Sequence, residues 1–227
     1  MTRAAIFDLD GTLIDTPNAI VTMMVNALTD MGAPLPDEED IRSMIGLPLE
    51  AGAAHVLGKS PDHPDVAQLI SLYRLQFLDW MVPRSAELLF PGVPEGLHTL
   101  REAGILLGLA TSKYNRSADA VLRAAGLRDL FAVVAGSDDV ISPKPDAEMA
   151  HLVADRLGVA PRSCVVIGDT VHDLHMARAA GMRRIAVTYG VGSPADLTGA
   201  APDRVVDTFP AAVSAILAPP TTSRDAA

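Results

Sequence analysis

Two carboxylates near the start of the chain are the first residues whose spacing suggests chemistry. Asp8 and Asp10 stand in AAIFDLDGTL, directly after the short apolar run Ala4 to Phe7. Side chains two residues apart point to the same side of an extended backbone, so these carboxylates repel each other unless a cation or a shared proton lies between them. A turn is the simpler interpretation, because Asp and Gly are common in turns. Other residues are needed to decide between the two.

Further polar residues follow other predicted strands. Thr111 and Ser112 come after ILLGLA, Lys144 stands in ISPKPDAEM at the start of a predicted helix, and Asp169 and Asp173 lie in VVIGDTVHD. Each has an ordinary explanation alone, as a helix cap, a solvated lysine or a turn. Ligands of parallel α/β sheets bind at the carboxyl ends of the strands, however, so these groups are predicted to meet at one edge. Their joint occurrence favours a functional site.

The oxygen-rich character of this set indicates a metal site. Carboxylate and carbonyl oxygens suit Mg²⁺, which keeps several waters and is held by one or two carboxylates together with substrate phosphate. We therefore predict Mg²⁺ as the cofactor, held together with a phosphate group of the substrate. The metal and Lys144 would supply the local positive charge that this acidic chain otherwise lacks.

The composition restricts the class of protein. With 227 residues and 49% hydrophobic content the chain can form a sizeable core, and its net charge of −10 argues against nucleic acid or an anionic membrane as the partner. The single cysteine, Cys164, excludes an intramolecular disulfide and is predicted to be buried packing. Because the first strand begins near Met1 and no apolar run reaches the roughly 20 residues of a membrane span, we expect a cytoplasmic protein.

The alternation of apolar runs and amphipathic patterns after Pro91 predicts the fold class. Parallel strands joined by helices read as apolar runs between helical segments. The chain is therefore predicted to form an α/β fold, a doubly wound parallel Rossmann-like sheet. The predicted strands cover Ala4 to Phe7 and residues 105–110, 132–135, 164–167, 185–187 and 204–206.

A purely helical segment interrupts this pattern after the first strand. Helical spacing predicts helices at about 17–31, 37–45, 47–57 and 64–81, and the last of these has Trp80 on its apolar face. We predict an inserted α-helical cap at 16–87, a core at 1–15 and 88–218, and a disordered tail at 219–227. Asp15 or Thr16 is the predicted cap of the first helix, Met23, Met24 and Met31 are predicted core residues, and hinges are expected at 13–16 and 87–90.

These motifs resemble those of a known superfamily. DLDGTLIDT, the hydroxyl of Thr111 after a strand, KPD at Lys144 and GDTVHD resemble the four motifs of the haloacid dehalogenase superfamily, in the same order, over about Arg3 to Val206. The position of the helical insertion resembles that of its phosphatases with a helical cap. IRSMIGLPL and FPGVPEGLHTLREAG also resemble the phosphoglycolate phosphatase branch.

The resemblance implies roles for the carboxylates. Asp8 would be the nucleophile that forms an aspartyl-phosphate, and Asp10 would protonate the leaving group and then activate the hydrolytic water. Mg²⁺ would be bound by the side chain of Asp8, the backbone carbonyl of Asp10 and the side chain of Asp169. Asp173 would bind the metal through water or orient the other ligands.

The resemblance also implies substrate contacts. Thr111 and Lys144 would hold the phosphoryl oxygens as further catalytic residues, and Ser112, which stands where many relatives have Asn, is a weaker substrate-binding candidate. In the cap, Arg42 is a substrate-binding candidate because of its position beside the Ile45-Gly46 turn. Four other basic cap residues could also meet an anionic substrate, although most of these residues are interpreted as solvated surface charges: His55, Lys59, Arg74 and Arg84.

Several alternatives stay open at this stage. The predicted activity is Mg²⁺-dependent hydrolysis of a phosphate monoester, with 2-phosphoglycolate as one candidate substrate. Pyrophosphatase, sugar-phosphate phosphatase and phosphomutase activities are possible on the same groups. A phospho-aspartate signalling module uses similar groups, but it would not need the helical insertion. A monomer and a homodimer are both compatible with the sequence.

Overall fold

The architecture is a six-stranded parallel sheet with helices on both faces. The computed structural model describes residues 2–218, so the predicted tail at 219–227 lies outside the described residues. The strands are β1 (Ala4–Phe7), β2 (Leu106–Ala110), β3 (Val133–Ala135), β4 (Cys164–Gly168), β5 (Arg183–Val187) and β6 (Arg204–Val206). Their order is β3-β2-β1-β4-β5-β6, and every neighbouring pair is parallel. The predicted α/β fold class is confirmed.

The described residues form ten α-helices, of which four belong to the insertion after β1. They are α1 (Pro17–Asp30), α2 (Glu38–Ser43), α3 (Leu49–Leu57), α4 (Pro64–Gln76), α5 (Val93–Glu102), α6 (Asn115–Ala124), α7 (Glu148–Leu157), α8 (Val171–Ala179), α9 (Pro194–Gly199) and α10 (Phe209–Leu217). None of the helices in the described part of the chain is both long and apolar enough to cross a membrane.

Alternation along the central strand divides the core between the two faces of the sheet. Phe7 joins the cluster that contains Phe131 and Phe209, whereas Ile6 joins the cluster that contains Met149. Successive side chains of a strand point to opposite faces, so a strand covered on both sides is apolar throughout. This explains why AAIF is fully buried. Cys164 is also buried, as expected.

The register of the sheet brings the predicted site residues to one edge. Phe7 pairs with residues of both β2 and β4, because β1 lies between these two strands. The strand order reverses between β1 and β4. Asp8 follows β1 directly, and Thr111 and Asp169 each follow the end of their strand. Such a reversal leaves a crevice outside the carboxyl ends of the strands. The sheet therefore positions the side chains for a common site.

The helices α1 to α4 lie between β1 and β2, as the predicted cap requires. The backbone segments that lead into and out of them run side by side. The amide of Asp15 donates to the carbonyl of Leu88 at 2.7 Å, and the amide of Phe90 donates to that of Leu13 at 3.1 Å. The division into a core (1–15 and 88–218) and a cap (16–87) stays a prediction, which this paired entry and exit supports.

The end of α4 differs from the sequence-based expectation. The α-helix ends at Gln76, and a π-helical turn continues from Phe77 to Met81. A π-helix has more residues per turn than the 3.6 of an α-helix. The residue one turn after Phe77 is therefore Met81, four positions along the chain. Met81 is consequently fully buried, whereas Trp80 is 38% exposed. The prediction that Trp80 lies on the apolar face was wrong for this reason.

Candidate active site

Lys144 connects two of the predicted carboxylates. Its Nζ lies 2.7 Å from Oδ1 of Asp8 and 2.5 Å from Oδ1 of Asp173, and all three side chains are buried. Burial lowers the pKa of the Lys144 ammonium, but the attraction of Asp173 and Asp8 outweighs burial and holds this pKa above its usual range. Lys144 is therefore protonated at neutral pH and places a positive charge in contact with Asp8.

Asp8, Asp169 and Asp173 form a buried cluster in which ligand oxygens lie within 4.8 Å of one another. Three carboxylates and the ammonium of Lys144 leave a net charge of −2 when all are ionised. Burial raises the pKa of Asp8 to about 7, and it also raises the pKa of Asp169, with a further contribution from the neighbouring carboxylates. The oxygen-only ligands and the unbalanced charge fit a divalent cation such as Mg²⁺.

Neighbouring groups fix the orientation of this cluster. Asp169 accepts hydrogen bonds from the hydroxyl of Thr12 at 3.1 Å and from the amide of Val191 at 2.9 Å. Asp173 lies in the first turn of α8 and accepts from the hydroxyl of Thr170 at 2.6 Å. It also accepts from the backbone amide of Thr170 at 3.2 Å, which is part of the capping box that begins the helix. Both carboxylates are thus held before any ligand arrives, which limits the cost of ordering them.

Gly11 and Gly190 make room for Asp169. A β-carbon on Gly11 would lie 2.1 Å from Oδ2 of Asp169, and one on Gly190 would lie 2.2 Å from the same atom. Gly11 also has a φ of +77°, which side chains disfavour. The glycine after the Asp8–Asp10 pair therefore brings the backbone close to a carboxylate, in addition to turning the chain.

Asp10 is held separately from Asp8. The Nζ of Lys113 lies 2.9 Å from Oδ2 of Asp10, and the hydroxyl of Thr16 donates to Oδ1 at 2.5 Å. Thr16 is the N-cap residue of α1, one of the two positions expected, but its side chain makes no capping bond. Its hydroxyl is instead engaged by the nearby carboxylate.

Thr111 and Ser112 have different surroundings at the end of β2. Thr111 is buried, and its hydroxyl oxygen accepts from the amide of Lys113 at 3.2 Å, which leaves the hydroxyl proton free to donate to a ligand. Ser112 donates to the backbone carbonyl of Gly46 at 2.6 Å. Ser112 thus connects the sheet to the loop between α2 and α3.

A small cavity lies between the helical insertion and the sheet. Asp8 and Asp10 line it, and its wall also contains Tyr73, Arg74 and Thr111. Its volume of about 80 Å³ is several times the space that one water molecule occupies. The cavity therefore accommodates a small organic group beside the two carboxylates.

Comparison with known proteins gives a consistent family. The model of the haloacid dehalogenase-like hydrolases matches residues 5–187. The chain belongs to this family. A haloacid dehalogenase-like family hydrolase from Streptococcus pneumoniae has the same fold, with a TM-score of 0.79 and 30% identity over 94% of this chain and 97% of the other.

Curated relatives of this haloacid dehalogenase-like hydrolase are named as phosphatases. The chain is 43% identical to a probable phosphatase, IndB, from Dickeya dadantii (95% of this chain, 94% of that protein). It is 33% identical to an N-acetylmuramic acid 6-phosphate phosphatase from Pseudomonas aeruginosa (86% and 85%). It is 30% identical to a phosphoglycolate phosphatase from Salmonella paratyphi A (91% and 89%). The predicted phosphatase branch of the family is confirmed.

Arg42 lies away from the cavity of this haloacid dehalogenase-like hydrolase. Its guanidinium lies 2.8 Å from the carboxylate of Glu38 and donates to the side chain of Asn18 at 2.5 Å. It lines a separate, more open groove, together with His172. Arg74 is the cap arginine that lines the cavity with Asp8 and Asp10.

Two residues near Asp8 and Asp10 were not predicted from the sequence as site residues. Lys113 pairs with Asp10, and Tyr73 is buried beside this pair in the cavity wall. The signal for Lys113 is its place directly after Thr111 and Ser112, at a strand end already rich in polar groups. Tyr73 has only helical spacing in α4, which is typical of core packing.

Proposed function

We propose that this haloacid dehalogenase-like phosphatase hydrolyses phosphate monoesters of small metabolites with the help of Mg²⁺, through an aspartyl-phosphate on Asp8. The observation that carries the proposal is the position of Lys144 between Asp8 and Asp173, in a cluster with Asp169, while Asp8 also lines a cavity together with Asp10. A nucleophile with its own positive charge and a second carboxylate for proton transfer thus lie beside one small cavity.

In the first step a carboxylate oxygen of Asp8 attacks phosphorus. A bond forms between that oxygen and phosphorus, and the bond from phosphorus to the leaving oxygen breaks. Protonated Asp10 gives its proton to the leaving oxygen, so the alcohol departs neutral. Thr16 and Lys113 hold the carboxyl group of Asp10 from two sides, which fixes its direction.

In the second step water attacks the same phosphorus. Asp10, now a carboxylate, removes a proton from the water while the bond between phosphorus and Asp8 breaks. Inorganic phosphate leaves, and Asp8 returns to its carboxylate form. One residue thereby acts first as an acid and then as a base, which is why both carboxylates are needed beside a single phosphorus.

The charge on the phosphoryl oxygens is balanced by fixed groups. The ammonium of Lys144 and the hydroxyl of Thr111 are both buried, and a buried donor interacts more strongly than a hydrated one. We propose that the side chains of Asp8 and Asp169 and the carbonyl of Asp10 hold Mg²⁺, with Asp173 bound through water or orienting the ligands. When bound, the metal draws electrons from a phosphoryl oxygen and keeps its carboxylate ligands ionised.

Release of phosphate from a set of esters tests the proposal. The set contains p-nitrophenyl phosphate, a sugar phosphate, 2-phosphoglycolate, a nucleotide and pyrophosphate, each with Mg²⁺ and then with EDTA. We expect repeated turnover with Mg²⁺ and loss of turnover in EDTA. Activity on pyrophosphate alone would instead indicate a pyrophosphatase, and transfer of phosphate between sugars would indicate a mutase. A lasting phosphoprotein without turnover would favour a signalling module.

A further inference from the structure

The cavity beside Asp8 and Asp10 has a mostly apolar wall on the side of the helical insertion. This wall contains side chains from α1, from the π-helical turn after α4, from the loop between α2 and α3 and from the start of α3. Ile20 and Phe77 are nearly fully buried, Leu47 and Leu49 are partly buried, and all four line the cavity. A group that enters the cavity therefore exchanges water for hydrocarbon over much of its surface.

The basic side chains of the cavity already have acidic partners. Lys113 pairs with Asp10 at 2.9 Å and lies 5.4 Å from the centre of the Phe77 ring. Arg74 lies 3.4 Å from the carboxylate of Glu50, and its guanidinium stacks 5.1 Å from the centre of the Tyr114 ring. Among the described residues that line the cavity, these are the two with a lysine or arginine side chain, and both are paired.

Glu50 has two partners that hold it beside the cavity. The hydroxyl of Tyr114 donates a hydrogen bond to the same carboxylate oxygen that Arg74 approaches. This arrangement connects α3, α4 and the segment that precedes α6. It places the negative charge of Glu50 beside Arg74, which lines the cavity.

These contacts disfavour a leaving group that carries its own carboxylate. A carboxylate placed in the cavity would lose hydration against the apolar wall, and the two cationic side chains there, Lys113 and Arg74, are already engaged by carboxyl groups of this chain. An uncharged group with an apolar face would gain burial without that cost. The phosphate group itself is served separately, by Lys144 and the metal site around Asp8.

We infer that the substrate is a phosphate monoester whose alcohol is uncharged and presents an apolar or aromatic face to the cavity. This inference rests on the proposed phosphatase activity and deepens it by naming the substrate class. It places 2-phosphoglycolate, whose alcohol is a compact anion, among the poor substrates of this chain.

Three matched esters test the inference with the full chain and Mg²⁺. The amide of 2-phosphoglycolate differs from 2-phosphoglycolate in charge alone, and benzyl phosphate adds an aromatic face. We expect kcat/KM to rise from 2-phosphoglycolate to its amide and again to benzyl phosphate, with about tenfold or more between the extremes, as for burial of hydrocarbon in a pocket. A higher kcat/KM for 2-phosphoglycolate than for its amide would overturn the inference. Absence of phosphate release from all three, and from p-nitrophenyl phosphate, would refute the proposed function itself.

A pair of glutamate variants tests the role of the charge pairing. Glu50→Gln keeps an oxygen for Tyr114 but leaves Arg74 without its anion. We expect the ratio of kcat/KM for 2-phosphoglycolate to that for its amide to rise roughly fivefold, the scale of a partly exposed charge pair. Glu38→Gln is the matched control, because Glu38 pairs with Arg42 at 2.8 Å outside the cavity. An unchanged ratio in Glu50→Gln, or an equal rise in both variants, would overturn the inference that pairing sets the charge preference.

Discussion

The ammonium of Lys113 lies 2.9 Å from the carboxylate of Asp10, and the ammonium of Lys144 lies 2.7 Å from that of Asp8. Each carboxylate at the end of β1 thus has its own lysine. Two like charges from one strand end can lie close together because each is balanced by a different partner. The two lysines therefore reduce the repulsion between Asp8 and Asp10 that their spacing implies, and a divalent cation would reduce it further.

Replacement of the nucleophile should abolish turnover. Asp8→Asn keeps the size of the side chain but replaces the nucleophilic carboxylate with a poorly nucleophilic amide, so we expect no phosphate release above background. Circular dichroism should show a native fold, because the amide still accepts a bond from Lys144. Asp30→Asn, at an exposed position, is the control and should keep the wild-type rate. Wild-type activity in Asp8→Asn would remove the nucleophile assignment.

Replacement of the acid–base residue should depend on the leaving group. Asp10→Asn cannot donate a proton, so we expect kcat for an alkyl phosphate to fall on the order of 10² to 10⁴, the usual share of general acid–base catalysis. The loss for p-nitrophenyl phosphate should be smaller in the first step, because its leaving group departs without a proton. Single-turnover kinetics on both esters measure this difference. A twofold loss with the alkyl phosphate would contradict a proton-transfer role.

Lys113 is expected to position Asp10. Lys113→Met keeps the hydrocarbon chain beside Phe77 but removes the ion pair, which leaves Thr16 as the remaining side chain bonded to Asp10. We expect kcat to fall on the order of 10², the cost of a misplaced catalytic group, with a smaller change in KM. Lys113→Arg, which keeps the charge, should recover part of the rate. Equal losses in both variants would argue for a purely steric role.

The metal-free protein should lose stability as the pH rises from about 4 to 7. Burial raises the pKa of Asp8 from 3.8 to about 7, so over this interval the folded chain binds a proton that the unfolded chain has released. The free energy of unfolding should therefore fall by up to about 1.4 kcal/mol per pH unit from this group. Asp169, whose pKa burial also raises, acts in the same direction.

Thermal unfolding in EDTA and in Mg²⁺ checks this prediction. Because protons and the metal compete for the same carboxylates, the increase in Tm on addition of Mg²⁺ should be larger at pH 7.5 than at pH 5.5. Asp8→Asn should show a weaker dependence of this increase on pH. An increase that is the same at both pH values would contradict the link between buried carboxylates and metal.

The strands and the acidic residues of the site are predictable because their signals are local. The apolar run before Asp8 and the capping arrangement of Thr170 and Asp173 involve neighbours in the sequence. The cap residues are different. Arg42 and Arg74 both lie on helices beside glutamates, and which of them meets the cavity depends on how those helices pack on the sheet.

The π-helical turn after α4 escaped prediction for a related reason. Spacing of 3.6 residues extrapolates through residue 81, and nothing in the sequence marks where the helix widens. Lys113 illustrates a third limit, because its partner Asp10 is distant in sequence and their contact exists only once β1 and β2 are paired.

The backbone hydrogen bonds from Asp15 to Leu88 and from Phe90 to Leu13 show that the two segments connecting the insertion to the sheet domain lie side by side. A segment of any length can be exchanged there if its two ends meet at that spacing, since no strand of the sheet is cut. We therefore expect chimeras that keep Thr16 but carry the rest of another relative's insertion to retain the proposed phosphoryl-transfer groups and to change what the cavity admits. The architecture separates the evolution of selectivity from that of chemistry.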